Sequence, residues 1–218
     1  MFTKKFWVLF GLFIMPLVFY ILLLTGTNNF AKLPVLTETI KDVNAFKTKD
    51  LQTVSLNGKI TILCFLGDDV QSVKNNALNL NEKIYKHFYK FRDFQFVVVL
   101  PEGTQQQAVQ LTKELGAITD MRKWKFVFGS LKDINEVFDS LETTYPLNAN
   151  GYSPYAFIID KDRHLRGRAD KEGIEDGVYY GYNAETVAPI HNEMVDDVKV
   201  LVAEYRLALK KNKNKREI

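Results

Sequence analysis

Few side chains in this 218-residue chain are equipped for chemistry, and their spacing decides what they can do. The only cysteine, Cys64, stands inside the run ITILCFL. A reactive thiol needs access and a depressed pKa, whereas a thiol among branched apolar residues acts as a small hydrophobe, so Cys64 reads as core. Asp68 and Asp69 follow in GDDVQS. Two adjacent carboxylates there either bind a hard cation or serve the dipole of the helix that begins after them. His87, His164 and His191 contain no H-x-x-x-H pair, so a histidine metal site would need folding to assemble it, with Asp68 and Asp69 as partner ligands. Tyr179, Tyr180 and Tyr182, in VYYGY, offer a partner surface, since tyrosine gives contact area and a hydroxyl at small entropic cost. The alternative is that the rings pack back as a lid over the domain.

These residues must be placed by a scaffold whose periodicity is legible. Ile60 to Leu66 is a continuous apolar run that fits a strand covered on both faces, and Asn57-Gly58 before it is a turn signal. The loop Gly67 to Ser72 then lies at the carboxyl end of a central strand, where open α/β sheets keep their chemistry, yet it holds no histidine, cysteine or phosphate-cradling glycine pattern. Apolar residues at Val70, Val73, Ala77, Leu80, Ile84, Phe88 and Phe91 mark one face of a helix. FQFVVVL from Phe94 is a second buried strand, and Thr104 with Gln107 reads as a capping box for a helix ending at Gly116. Lys125 to Phe128 reads as a short strand, and Ser130 opens a helix carrying Ile134, Val137, Phe138 and Leu141. PYAFIID, a turn at Asp160 to Arg163 and Leu165 to Arg168 form a hairpin. Asn183 is placed to cap a final helix whose buried stripe runs from Val187 to Leu209. Strands alternating with helices and closing in a hairpin give an α/β fold, a central mixed sheet with helices on both faces.

Composition is that of a globular protein with one appendage, 46% hydrophobic and 25% charged. Phe6 to Thr25 carries no charge and has the roughly 20 residues that a helix needs to cross a bilayer. It is longer than a signal-peptide h-region and ends without a small-x-small site, which favours an uncleaved anchor. Lys4 and Lys5 precede it and the first cation after it is Lys32, so the amino terminus is expected in the cytoplasm and the remainder exported. In a bacterium that is the periplasmic side of the inner membrane. A net charge of +3, most of it in KKNKNKREI, excludes a nucleic-acid surface. The expected organisation is an anchor over 1–26, a tether over 27–45, one domain over 46–209 and a solvated basic tail over 210–218.

The element order, β-α-β-α then β-β-α, is that of the thioredoxin fold. The anchor, GKITILCFLG, VVLPEGT, KWKFVFGS from Lys123 to Ser130 and YSPYAFIID resemble, in order and spacing, the Sco/SenC copper-chaperone family, which serves cytochrome c oxidase assembly. The likeness covers about residues 46 to 168. It implies copper ligands from a C-x-x-x-C motif and a later histidine, at positions held here by Val70, Lys74 and Tyr152, none of which has a thiol or imidazole. It also implies a cis bond at Ser153-Pro154, and places Leu100 where an aspartate often stands. Copper(I) prefers thiolate and imidazole, and disulfide exchange needs a second sulfur, so the expected protein is a non-catalytic accessory factor beside a respiratory oxidase subunit or assembly factor. Delivery of copper or another metal through replacement ligands is the alternative, and thiol-disulfide exchange through Cys64 a second one.

Overall fold

The computed structural model describes residues 4–25, 32–169 and 177–214. The chain forms two units, residues 1–31 and residues 32–218. In the first, helix α1 (Lys4–Thr25) is apolar enough over Lys4–Leu22 to cross a membrane.

The second unit is built on a mixed sheet with strand order β1-β6-β5-β2-β3-β4. Its strands are β1 (Val35–Thr37), β2 (Ile60–Leu66), β3 (Phe94–Pro101), β4 (Trp124–Gly129), β5 (Tyr152–Ile159), β6 (Leu165–Arg166) and β7 (Tyr182–Asn183). β2, β3 and β4 run parallel, whereas β5 lies antiparallel to β2, and β6 and β7 both pair with β5. The helices are α2 (Lys74–Leu80), α3 (Lys86–Phe88), α4 (Gln105–Gly116), α5 (Leu131–Asp139), α6 (Val187–Pro189) and α7 (Val195–Asn214). π-helical turns at Asn81–Tyr85 and Ile190–Met194 join α2 to α3 and α6 to α7.

Alternation splits the apolar runs between two cores. Ile60, Ile62, Cys64 and Leu66 of β2 share one with Phe96 and Val98, covered by α2, α4 and α7. Leu63, Phe65, Val97 and Val99 face the other way, onto α5 and the segment from Ile40 to Leu56. In that second core Phe65 meets Phe138 edge to face at 5.2 Å. Helices thus cover both faces, as the strand runs imply, and α5 opens on Ser130, whose side chain accepts from Asp133 N.

Several boundaries differ from expectation. Residues 32–45 are part of the fold, because β1 pairs with β6 and Leu33, Ile40 and Val43 are buried. A three-residue edge strand is too short to declare itself by alternation. The turn at Asn57-Gly58 leads into β2 from the stretch Phe46 to Leu56, which is not a strand. Its backbone bridges the sheet at Lys47 and Phe128, where the Phe46 ring lies so close to Gly129 that a Cβ there would meet it at 2.5 Å. Thr104 does not cap α4, since its hydroxyl donates to Pro101 O, and Gln107 is engaged elsewhere. Thr186, not Asn183, precedes the final helix, and Asn183 Oδ1 accepts from Glu185 N in the turn before it. The helix itself continues through Asn214, so the first half of the basic tail is helical.

The Ser153-Pro154 bond is trans. Between the pairs Cys64–Ala156 and Phe65–Ser153 the register of β5 slips, so Pro154 and Tyr155 bulge from the ladder. A bulge asks for no N–H, which is what a proline lacks. The Pro154 carbonyl then accepts from Ala184 N at 2.8 Å, which helps β7 to dock.

Candidate functional site

The loop after β2 is held by short local devices. Gly67 has φ +67°, and a Cβ on it would lie 2.8 Å from the Cβ of Tyr152, so glycine is required by both conformation and space. Gln107, reaching from α4, clamps the loop from the other side: Val70 N donates to its Oε1 at 2.9 Å, and its Nε2 donates to Asp68 O at 2.8 Å. Asn148 closes the opposite wall by accepting from Tyr152 N at 2.8 Å. The result is a cleft of about 100 Å³ between the Gly67–Val73 loop and Asn148, Asn150 and Tyr152.

The residues at which the resemblance puts copper ligands carry other duties. Val70 is fully buried. Lys74 pairs with Glu114 at 3.0 Å. The Tyr152 hydroxyl accepts from Asn76 Nδ2 at 3.0 Å and donates to Glu185 at 2.9 Å. Burial, then the bond to the Glu185 carboxylate, pushes its pKa up to about 12. The donors around the cleft are therefore hydroxyl, amide and carboxylate oxygens, a set that does not fit copper(I).

Asp68 and Asp69 are both exposed at the mouth. Asp69 accepts from the Ser72 hydroxyl and from Ser72 N, and that hydroxyl holds its carboxyl below the usual range. Asp69 thus acts as a turn residue ahead of α2, and folding brings no histidine to it among the described groups of clustered ligating atoms. The group that does cluster is Asp160, Asp162 and His164, with ligating atoms within 4.8 Å of one another. Asp160 is already engaged: its carboxylate accepts from Asp162 N, His164 N and Arg166 Nη1, each at 2.9 Å, and lies 3.3 Å from His164 Nδ1. His87 and His191 are exposed and far from this hairpin in the chain.

Cys64 is 3% exposed in the middle of the sheet, paired in register with Val98 and Ala156, and burial pushes its thiol pKa far up. A thiol in that state is neither nucleophile nor ligand.

The tyrosine segment divides. Tyr182 is fully buried and its hydroxyl donates to Asp197, which Arg168 grips with two bonds at 2.8 and 3.0 Å. Tyr179 is buried edge to face against Tyr182 at 5.0 Å, and burial with Glu193 nearby raises its pKa. Both rings are buried rather than presented to solvent, and their hydroxyls are anchored by carboxylates of the last helical segment. Tyr180 is half-buried against Tyr145. Residues 170–176 of the loop lie outside the described residues.

Sequence reasoning missed Gln107, Asn76, Glu185, Asp160 and Arg166, whose roles depend on partners far along the chain. Asp160 had a signal in the turn sequence DKDRH, and Gln107 had one in the apparent capping box, which points to a different role.

No family model matches the chain, and no curated protein is significantly similar to it. Its fold is shared with solved structures. One is BsSco, a member of the Sco family of cytochrome c oxidase assembly proteins, with a TM-score of 0.58 at 14% identity over 79% of this chain and 98% of that one. A SCO1/SenC family lipoprotein from Bacillus anthracis has a TM-score of 0.55 at 18% identity, covering 78% of this chain and 99% of that one. A candidate protein disulfide isomerase from Bacteroides thetaiotaomicron has a TM-score of 0.53 at 13% identity, over 79% and 95%. The chain therefore has the thioredoxin-like fold seen in Sco/SenC proteins, preceded by an apolar helix.

Proposed function

We propose that this protein is a membrane-anchored accessory factor that binds a partner and does not carry copper or electrons. The domain would lie on the exported side and act beside a respiratory oxidase or its assembly factors. The observation that carries this reading is the cleft at the carboxyl end of β2. Where a thioredoxin-like fold would hold its reactive groups, Val70 is buried, Lys74 is ion-paired and Tyr152 is bonded to both Asn76 and Glu185. The similarity in fold to Sco-type oxidase assembly proteins supports the setting. The former site, with Asp68 and Asp69 exposed at its rim, is then a docking surface whose shape is fixed by the Gln107 clamp.

A copper(I) competition titration of the full chain in detergent, against a coloured chelator, tests the reading. No withdrawal of copper is expected, and one equivalent withdrawn would overturn it in favour of a delivery protein with replacement ligands. Crosslinking in native membranes, from an aromatic photoprobe placed at Asn150, is expected to capture a respiratory-complex subunit or assembly factor.

A further inference from the structure

The surface between α3 and α7 is basic around an apolar floor. A shallow groove of about 310 Å³ runs between them, lined by Phe88, Phe91 and Val202 at its floor and by His87, Lys90, Lys199 and Arg206 at its rim. No carboxylate lines it. Asp196 pairs with Lys199 at 2.9 Å while leaving that lysine side chain 60% exposed. The Lys90 ammonium and the Arg206 guanidinium lie over Tyr89 and Phe91, at 5.9 and 5.7 Å from the ring centres, and both residues are exposed. Beyond Arg206 the helix continues to Asn214, and the sequence adds Lys210, Lys211, Lys213, Lys215 and Arg216 against one acid, Glu217.

The same helix, α7, also meets the start of the folded unit. Arg166 donates to Leu33 O at 2.9 Å and to Glu204 of α7 at 2.8 Å, so the start of the folded unit and the middle of α7 meet on one guanidinium. Six residues, 26–31, separate Thr25 from Lys32, and a linker of that length spans at most about 25 Å. On the reading of α1 as a membrane anchor, that linker keeps Lys32 within about 25 Å of the end of the span.

We propose that the α3–α7 groove and the basic end of α7 form a second membrane contact, a docking surface for anionic lipid headgroups. Phosphate groups sit among Lys90, Lys199 and Arg206, and the exposed Leu207 reaches the interfacial layer. Clusters of lysine and arginine beside a membrane span are attracted to an anionic surface within a Debye length, and the attraction fades as salt rises. The contact fixes the orientation of the domain on the bilayer, which an anchor and linker alone leave free. It rests on the anchored reading.

The test uses the full chain in nanodiscs, with an environment-sensitive fluorophore on Ala203→Cys in the groove, or on Gln110→Cys of α4 as control. Cys64, being buried, stays unlabelled. In discs with about 30% phosphatidylglycerol the Ala203 probe is expected to shift to the blue relative to pure phosphatidylcholine, and to return at about 0.5 M salt. The Gln110 probe is expected not to respond. Lys90→Gln, Lys199→Gln and Arg206→Gln together are expected to remove more than half of the shift. Equal emission in both lipids, an equal response from Gln110, or a shift unchanged in the triple variant would overturn the proposal. So would the same shift from millimolar inorganic phosphate in phosphatidylcholine discs, which marks a small-anion pocket. If the chain washes out of both kinds of disc at alkaline pH, the anchored reading fails; a chain that stays but shows no lipid dependence fails only the groove.

Discussion

Replacing Gln107 with alanine removes one side chain and two bonds, those with Val70 N and Asp68 O. The two losses are unequal. Asp68 is exposed, so its carbonyl regains water at little cost, whereas Val70 is fully buried and its N–H has no second partner in the loop. An orphaned buried donor costs about 1–3 kcal/mol, and the middle of that range, about 2 kcal/mol, is the expected destabilisation. For a domain of this size that lowers Tm by about 4–8 °C. The full chain in mild detergent is suited to urea unfolding followed by near-ultraviolet circular dichroism, with hydrogen exchange resolving the loop. The Val70 amide is expected to lose protection while the amides of β3 keep theirs. Gln107→Glu retains an acceptor for Val70 N but loses the donor to Asp68 O, so its loss is expected to be the smaller of the two. A destabilisation below about 0.5 kcal/mol, with Val70 still protected, would refute the clamp, since surface substitutions fall within that range.

Asp160→Ala strips three bonds from the hairpin and leaves Arg166, 5% exposed, with Glu204 as its remaining carboxylate. Breaking a buried pair costs about 3–5 kcal/mol, and the surviving Glu204 bond argues for the lower end, read as a shift in urea midpoint. Acid stability is expected to follow Asp93, whose carboxyl is held below its usual range chiefly by the Lys161 ammonium at 2.6 Å. A depressed folded pKa gives stability that is complete above the unfolded value near 3.8 and is lost as pH falls through the folded one. Unfolding measured from pH 7 to 2 should therefore be flat in this contribution until about pH 4, and Asp93→Asn should fall less steeply below it. Cys64 is expected to react with a maleimide only after denaturation, and labelling of the folded chain within minutes, seen by mass spectrometry, would contradict its burial.

How much could be read in advance follows from where each element gets its stability. β2, β3 and β5 carry continuous apolar runs because both faces are covered, and such runs survive in any one-dimensional reading. The stripes of α4 and α5 were legible for the same reason, through their spacing of three and four. β1, β6 and β7, of two or three residues each, owe their place to partners elsewhere in the chain. The helical capacity of residues 210–214 was hidden by charge. At the site, the missing sulfur and imidazole were plain, since absence of a residue type needs no geometry. What replaced them was not, because the bonds of Tyr152 reach Asn76 and Glu185, 76 and 33 residues away. The same distance hid the fate of Tyr182, whose hydroxyl is claimed by Asp197.

The Arg166 guanidinium has a mechanical consequence. It ties Leu33, at the start of the folded unit, to Asp160 in the hairpin and to Glu204 near the end of the chain. A pull on the amino-terminal side of the domain is then not borne by β1 alone, which could be peeled from β6 two residues at a time. The load passes through one buried buckle into the hairpin and the last helix, so that the fold resists tension as a closed loop and yields all at once when the buckle opens.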